Sequence, residues 1–162
     1  MKHKRVRTQP FVVCGGLIEK NNKILLVREA SKKIDTNKWN LPTGWVDLGE
    51  ELIDTAKREV KEETGYDFTP CYILGIYSLL RTELKKYFGS VPHPIKIIYV
   101  GKISGKQSKL ADDISEIKWF SPKEIFRMDK DTLRDLDIKQ IVKDYFSGKK
   151  YPLNLITHTH QH

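Results

Sequence analysis

One charged segment constrains this chain more than any other, because it reads as a single helix that carries too many acids at the wrong end. In Glu50-Glu-Leu-Ile-Asp-Thr-Ala-Lys-Arg-Glu-Val-Lys-Glu-Glu-Thr-Gly65, the apolar residues Leu52, Ile53, Ala56 and Val60 recur at helical spacing. Gly65 is the expected stop. Glu59, Glu62 and Glu63 stand at i, i+3 and i+4, so they are predicted to project together from the face opposite the apolar stripe and to share one patch. They also fall in the last turn, where the helix dipole is negative and cations are preferred. Like-charged pairs at this spacing cost roughly 0.2–0.5 kcal/mol each, and the dipole adds about 0.3–1 kcal/mol per acid. A divalent cation reverses both signs. Clustered carboxylate oxygens suit a hard ion such as Mg²⁺ or Mn²⁺, which completes its shell with waters and phosphate oxygens. Local rule-breaking of this kind is expected at functional sites. The plainer alternative is a solvated face on which Lys57, Arg58 and Lys61 neutralise the acids.

The spacing of the whole window decides between these readings. Gly44, Glu50, Arg58, Glu59, Glu62, Glu63 and Gly65 fit the pattern G-x5-E-x7-R-E-U-x-E-E-x-G-U, with U bulky and aliphatic, and the segment resembles the Nudix box at every fixed letter. Upstream, Trp39-Asn-Leu-Pro-Thr-Gly44 is similar to that family's W-x-L-P-G-G approach, and Phe11 to Ala30 is similar to its opening pair of strands. Thr43 and Tyr66 depart from the pattern, replacing a glycine and the closing aliphatic residue. Neither removes a carboxylate.

The resemblance covers roughly Val6 to Phe146 and implies an α/β fold, a Nudix-type α/β/α sandwich with a mixed β-sheet. It implies divalent-metal-dependent hydrolysis of a phosphoanhydride in a nucleoside di- or triphosphate or a related derivative, as in MutT-like pyrophosphohydrolases. Carried over by position, Glu59 and Glu63 become the principal metal ligands, Glu62 assists, and the Gly44 carbonyl supplies another oxygen. Arg58 then orients the acids, and Glu50 pairs with it or contacts the metal through water. Family members take the general base from the box or from a later loop, which here offers Asp112, Asp113 and Glu116; Asp113 and Glu116 stand six and three residues before Trp119. The subgroup markers of NADH pyrophosphatases, ADP-ribose hydrolases and diadenosine-polyphosphate hydrolases are absent; Arg81, Thr82 and Glu83 occupy the positions of the last two. Alternatives within the same resemblance are a catalytically silent nucleotide or RNA sensor, an RNA 5′-pyrophosphohydrolase, and an enzyme of isoprenoid diphosphates.

Such chemistry makes definite demands. A pyrophosphate must be neutralised while water is positioned in line with the leaving oxygen. A base must come within about 2.6–3.2 Å of that water. Arg28, Trp45, Tyr77 and Arg81, near the expected mouth, are candidates to stack a base or hold a distal phosphate.

The rest of the chain is consistent with one domain. Its 162 residues are 39% apolar and 31% charged, a balance typical of a soluble globular fold. No apolar run approaches the roughly 20 residues of a membrane span, and Met-Lys-His-Lys-Arg-Val-Arg lacks a signal-peptide core. These features predict a cytoplasmic protein without membrane association. Cys14 and Cys71 lack a C-x-x-C pairing and are expected as buried free thiols.

The organisation is read as a basic arm over residues 1–8, a domain over 9–148 and a tail over 149–162. Phe11 to Glu19 is expected to turn at Asn21-Asn22 and pair with Ile24 to Arg28. Cys71 to Leu80 and Ile95 to Ile103 are strand-like around a Gly/Pro stretch that could form a lid. After Glu116 to Phe120, Ser121-Pro122 is expected to cap a short helix, and a weaker helical pattern runs from Leu133 to Phe146. The net charge of +8 favours anionic partners. Lys2, Lys4, Arg5 and Arg7 could touch RNA phosphates, with a solubilising arm as the alternative. His158, His160 and His162 could bind transition metals adventitiously. A homodimer that completes the pocket is a further expectation.

Overall fold

The computed structural model describes residues 8–30 and 34–161. Lys2, Lys4, Arg5, Arg7 and His162 lie outside them. Two four-stranded sheets form the body. The first runs β5-β1-β7-β6, with β1 (Phe11–Leu17), β5 (Thr43–Trp45), β6 (Asp67–Ser78) and β7 (Pro94–Ser104). It is mixed: β1 and β7 are parallel, while β1 with β5 and β6 with β7 are antiparallel. The second is built on β3 (Lys23–Glu29), which pairs with β2 (Glu19–Lys20), β4 (Trp39–Asn40) and β8 (Ile114–Phe120).

Alternation along β7 shows how the layers are held. Ile97 and Tyr99 enter one core cluster, with Ala56 and Val60 of helix α1 (Leu52–Thr64). Ile98 and Val100 enter the other, with Ile138, Ile141 and Val142 of helix α4 (Ile138–Phe146). Successive side chains of a strand point to opposite faces, so helices cover both sides of the first sheet. This is the α/β/α arrangement expected from the sequence. A short helix α2 (Lys85–Phe88) lies in the Gly/Pro stretch between β6 and β7. Helix α3 (Pro122–Arg127) opens on a complete capping box, in which the Ser121 hydroxyl accepts from the Glu124 amide and Glu124 accepts from the Ser121 amide. No helix among the described residues is long and apolar enough to cross a membrane.

Two local expectations are corrected. The opening hairpin is smaller than its sequence pattern: Glu19–Lys20 pairs with β3 across Asn21 and Asn22 at φ 53° and 61°, and the Ile18 carbonyl adds one bond from the Leu25 amide at 3.0 Å. Positive φ at both turn residues suits a two-residue hairpin. Phe11–Leu17 instead inserts between β5 and β7, and buried Ile18 marks the change of sheet. The second correction concerns Cys71, which is exposed, whereas Cys14 is fully buried and burial pushes its thiol up to about 12. Pro70 and Cys71 fall at a register shift on β6, an edge strand where a proline is tolerated.

A knot of buried charges ties the sheets together. Lys96 of β7 meets Asp135 at 2.6 Å and Asp137 at 2.8 Å. Arg81, just past β6, meets Asp35 at 2.8 Å and Asp135 at 3.2 Å. Arg134 meets Glu29 of β3 at 2.6 Å. Burial opposes ionisation of Asp135, but Lys96, Arg134 and Arg81 outweigh it and hold the carboxyl down at about 2. Beyond α4, Tyr151 exchanges two backbone hydrogen bonds of 2.9 Å with Ile73 on the edge of β6, and Leu153 and Ile156 pack on the α1-side core.

Candidate active site

Helix α1 leans on β5 with a stripe in which acids replace apolar residues. Ala56, Glu59, Val60 and Glu63, at helical spacing, are all buried, Glu59 at 6% and Glu63 at 7% exposure. Glu62 is on the outside, with its side chain 53% exposed. The expected common patch of three carboxylates is therefore corrected: Glu59 and Glu63 face β5, and Glu62 reaches the site only from its rim. Among the described residues no three acidic, histidine or cysteine side chains converge tightly enough to hold an ion by themselves.

Arg58 organises what is there. Its Nε donates to Glu50 Oε1 at 2.7 Å and its Nη2 to Glu50 Oε2 at 2.9 Å, a two-pronged pair. Nη1 donates to Glu59 Oε1 at 2.6 Å and lies 3.5 Å from Glu62 Oε2. Nη2 also donates to the Trp45 carbonyl at 3.1 Å, which fastens the helix to β5. Glu50 accepts further from the Thr55 hydroxyl at 2.6 Å and the Asp47 amide at 3.2 Å. The Arg58 guanidinium, more than these neutral donors, holds the Glu50 carboxyl down at about 2, and Glu50 in turn raises Arg58.

The floor of the site is backbone. Glu63 Oε2 accepts from the Thr43 amide at 3.1 Å, so the departure from glycine at this position leaves the contact intact. At Gly44 any Cβ would be driven into the Glu59 carboxyl group. That absent side chain leaves a cradle between strand and acids. Two inward carboxylates beside bare backbone form an oxygen donor set that fits Mg²⁺ or Mn²⁺, ions that take few protein carboxylates and fill the remaining positions with water and phosphate oxygens.

Loop 105–112 is strapped to the end of α1. The Ala111 amide donates to the Glu62 carbonyl at 2.7 Å, the Gln107 side chain to the Thr64 carbonyl at 3.1 Å, and Ser108 donates to the Gly65 carbonyl from its amide at 2.8 Å and its hydroxyl at 3.0 Å. These bonds satisfy carbonyls that a helix end leaves orphaned. Asp113 follows this loop two residues after Ala111, and its carbonyl accepts from the Ala30 amide at 2.8 Å. Glu116 lies on β8 opposite Arg28, 3.4 Å away, with both side chains nearly half exposed.

The remaining candidates scatter. Trp45 stacks on Phe11, with centroids 3.9 Å apart and planes 5° apart. Arg28 lies 5.7 Å over Trp39. Tyr77 donates to Asp144 at 2.9 Å on the α4 side. Arg81, 8% exposed in its side chain, belongs to the charge knot. Tyr77 and Arg81 are thus spent on internal contacts, which corrects the expectation that they meet substrate. Sequence reasoning did not find these roles of Thr43, Asp47, Thr55 or the Gln107-Ser108 strap, since Thr43 and Asp47 act through backbone amides, the strap joins residues 43 positions apart, and Thr55 carries no spacing signal.

A buried acid pair on a helix clamped by an internal arginine against a glycine-bearing strand, within an α/β/α body, defines a class of hydrolase. The chain belongs to the Nudix family: the NUDIX domain model matches residues 8–143. An ADP-ribose pyrophosphatase from Methanocaldococcus jannaschii is 30% identical over 149 residues, covering 92% of this chain and 80% of its own length. Phosphatase NudJ of Escherichia coli K12 is 27% identical, with 91% of each chain covered. Among solved structures, a NUDIX hydrolase from Nitrosomonas europaea superposes with a TM-score of 0.81 at 30% identity over 93% of this chain and 98% of that one. This chain is accordingly a Nudix hydrolase, of a family of pyrophosphohydrolases.

Proposed function

We propose that this enzyme hydrolyses the phosphoanhydride of a nucleoside diphosphate derivative or nucleotide in the presence of Mg²⁺ or Mn²⁺. The observation that carries the reading is the inward pair Glu59 and Glu63, buried yet held beside the bare Gly44 backbone. These two would hold the ion, with the Gly44 carbonyl as a further oxygen and Glu62 assisting from the rim. When bound, the ion supplies charge neutralisation at the phosphoryl oxygens and acidifies a water.

The protein's own part is positional. Arg58 aims Glu59 and Glu50 through its hydrogen bonds, keeps Glu50 charged, and couples α1 to β5 through the Trp45 carbonyl. Asp113 is the better candidate for the base, because its loop is tied to the acid turn while Glu116 is engaged by Arg28. Arg28 and the Trp45–Phe11 stack remain the candidates for substrate contact. The relative from M. jannaschii named for ADP-ribose favours a nucleoside diphosphate joined to a second moiety.

Product analysis tests this with the purified chain, Mg²⁺ or Mn²⁺, and a panel of ADP-ribose, nucleotide sugars, dinucleotides, nucleoside triphosphates and 5′-triphosphorylated RNA. Metal-dependent release of two phosphorylated products from one class is expected, with turnover lost in Glu63→Gln. An intact panel, with wild type and variant binding nucleotide equally, would replace the hydrolase by a sensor.

A further inference from the structure

A groove on the far side of the first sheet is not used by any of this chemistry. It lies between β2, β6, β7, the end of α4 and the segment after it, open to solvent, with a volume of about 640 Å³. Pockets for small molecules run to roughly 300–1,000 Å³. Tyr72, Val100 and Tyr145 place it on the α4 face, whereas α1 packs on the opposite face. The sheet separates it from Glu59 and Glu63.

Its walls carry three tyrosine rings, Tyr72, Tyr145 and Tyr151, and two lysines, Lys102 and Lys150. The Lys150 ammonium sits 4.5 Å over the Tyr72 ring. Lys149, by contrast, is turned aside to Asp144 at 3.2 Å. The acid on the wall, Glu19, is fixed in place: it accepts from the Tyr145 hydroxyl at 3.3 Å and from the Asn22 amide at 2.6 Å. Aromatic faces stack planar rings, and lysines beside them attract phosphate. Glu19 shares the wall with the two lysines, and Tyr151 is held there by its backbone pairing with Ile73. A second phosphate running past Glu19 would be repelled.

We propose that this groove is a second, non-catalytic site for a single nucleoside monophosphate, its base among Tyr72, Tyr145 and Tyr151 and its phosphate on Lys102 and Lys150. A mononucleotide is favoured over an oligonucleotide because the groove sets only two lysines beside one carboxylate, Glu19, which suits a single phosphate.

AMP is the probe, used in EDTA so that the carboxylate site contributes nothing through metal. Equilibrium dialysis should show one saturable site in wild type and in Glu63→Gln alike. Both lysines are exposed, so the pair Lys102→Glu and Lys150→Glu should fold normally, as a thermal melt checks. This pair should bind AMP about tenfold more weakly or worse, the scale of a lost charged hydrogen bond, while its Mg²⁺-dependent turnover stays at the wild-type level. Cys71 lines the groove and is exposed, and Cys14 is buried, so AMP should also slow alkylation of Cys71 by iodoacetamide. Adenosine and inorganic phosphate should each bind more weakly than AMP. The proposal is overturned if phosphate alone matches AMP, if AMP binding is lost in Glu63→Gln but not in the lysine pair, if a single-stranded RNA protects Cys71 where AMP does not, or if no saturable binding is seen.

Discussion

Gly44 and Glu50 show how single residues set the site. A methyl group at Gly44 would occupy the space of the Glu59 carboxyl, and the acid must move outward or the strand must yield. Gly44→Ala should therefore lower kcat by about a hundredfold or more, exceeding the 10–100-fold cost of disturbing groups that merely support a ligand, with a smaller change in KM. Steady-state kinetics at saturating Mg²⁺ reads it; unchanged kcat would place the reacting centre elsewhere. Glu50 acts on stability as well. Its carboxyl is held at about 2 by Arg58, below the ordinary value of about 4.3. A group depressed on folding stabilises above its unfolded pKa and loses that contribution as pH falls toward the folded one. Wild type should thus exceed Glu50→Gln by about 1.5–3 kcal/mol, the range for hydrogen bonds to a charged group, constant from about pH 5 to 8 and shrinking below about pH 4. Thermal or urea unfolding at stepped pH measures this difference.

At the scale of elements, helix α1 and the loop that receives it behave as one unit. Gly65 ends the helix at φ 79°, and a side chain there would also strike the Ser108 carbonyl. Gly65→Ala should cost more than the roughly 1–2 kcal/mol of a left-handed position, about 2–3 kcal/mol in all, and should speed hydrogen exchange at the Ser108 and Ala111 amides. Exchange confined to the helix end, with those amides still protected, would separate the loop from the helix. The helix, its stop and its acids were legible in the sequence because all of them are local: periodicity, a glycine, and fixed spacing. So was the Ser121-Pro122 start of α3. The orientation of Glu59 and Glu63 was not, since a charge on a helix is ordinarily read as facing water, and only the approach of β5 turns that face inward. The reach of β1 was hidden for a related reason. Phe11–Leu17 gains its partners from β7, some eighty residues away, while the adjacent Asn21-Asn22 turn advertises a longer hairpin than the chain makes.

The whole molecule depends on charges that no sequence window could have assembled. Glu29, Asp35, Arg81, Lys96, Arg134 and Asp135 come from both sheets and the loops between them, and nothing local in the sequence marks any of them as buried. Once buried together they are mutually dependent. Removing one member leaves its partners charged and dry, which costs about 3–5 kcal/mol, although an intact buried pair adds little over an apolar pair of the same shape. Lys96→Met would leave Asp135 and Asp137 without their shared ammonium. It should lower the melting temperature by about 10 °C, given roughly 2–4 °C per kcal/mol for a chain of this size. Asp135→Asn should be costly too, because Lys96 and Arg81 lose the negative charge that they share. The double variant removes a charge of each sign, so its destabilisation should fall short of the sum of the singles by about 0.5–3 kcal/mol, as expected for contacting residues. Strict additivity in that cycle would mean that the knot is a set of independent surface pairs, and that the two sheets are joined by their apolar cores alone.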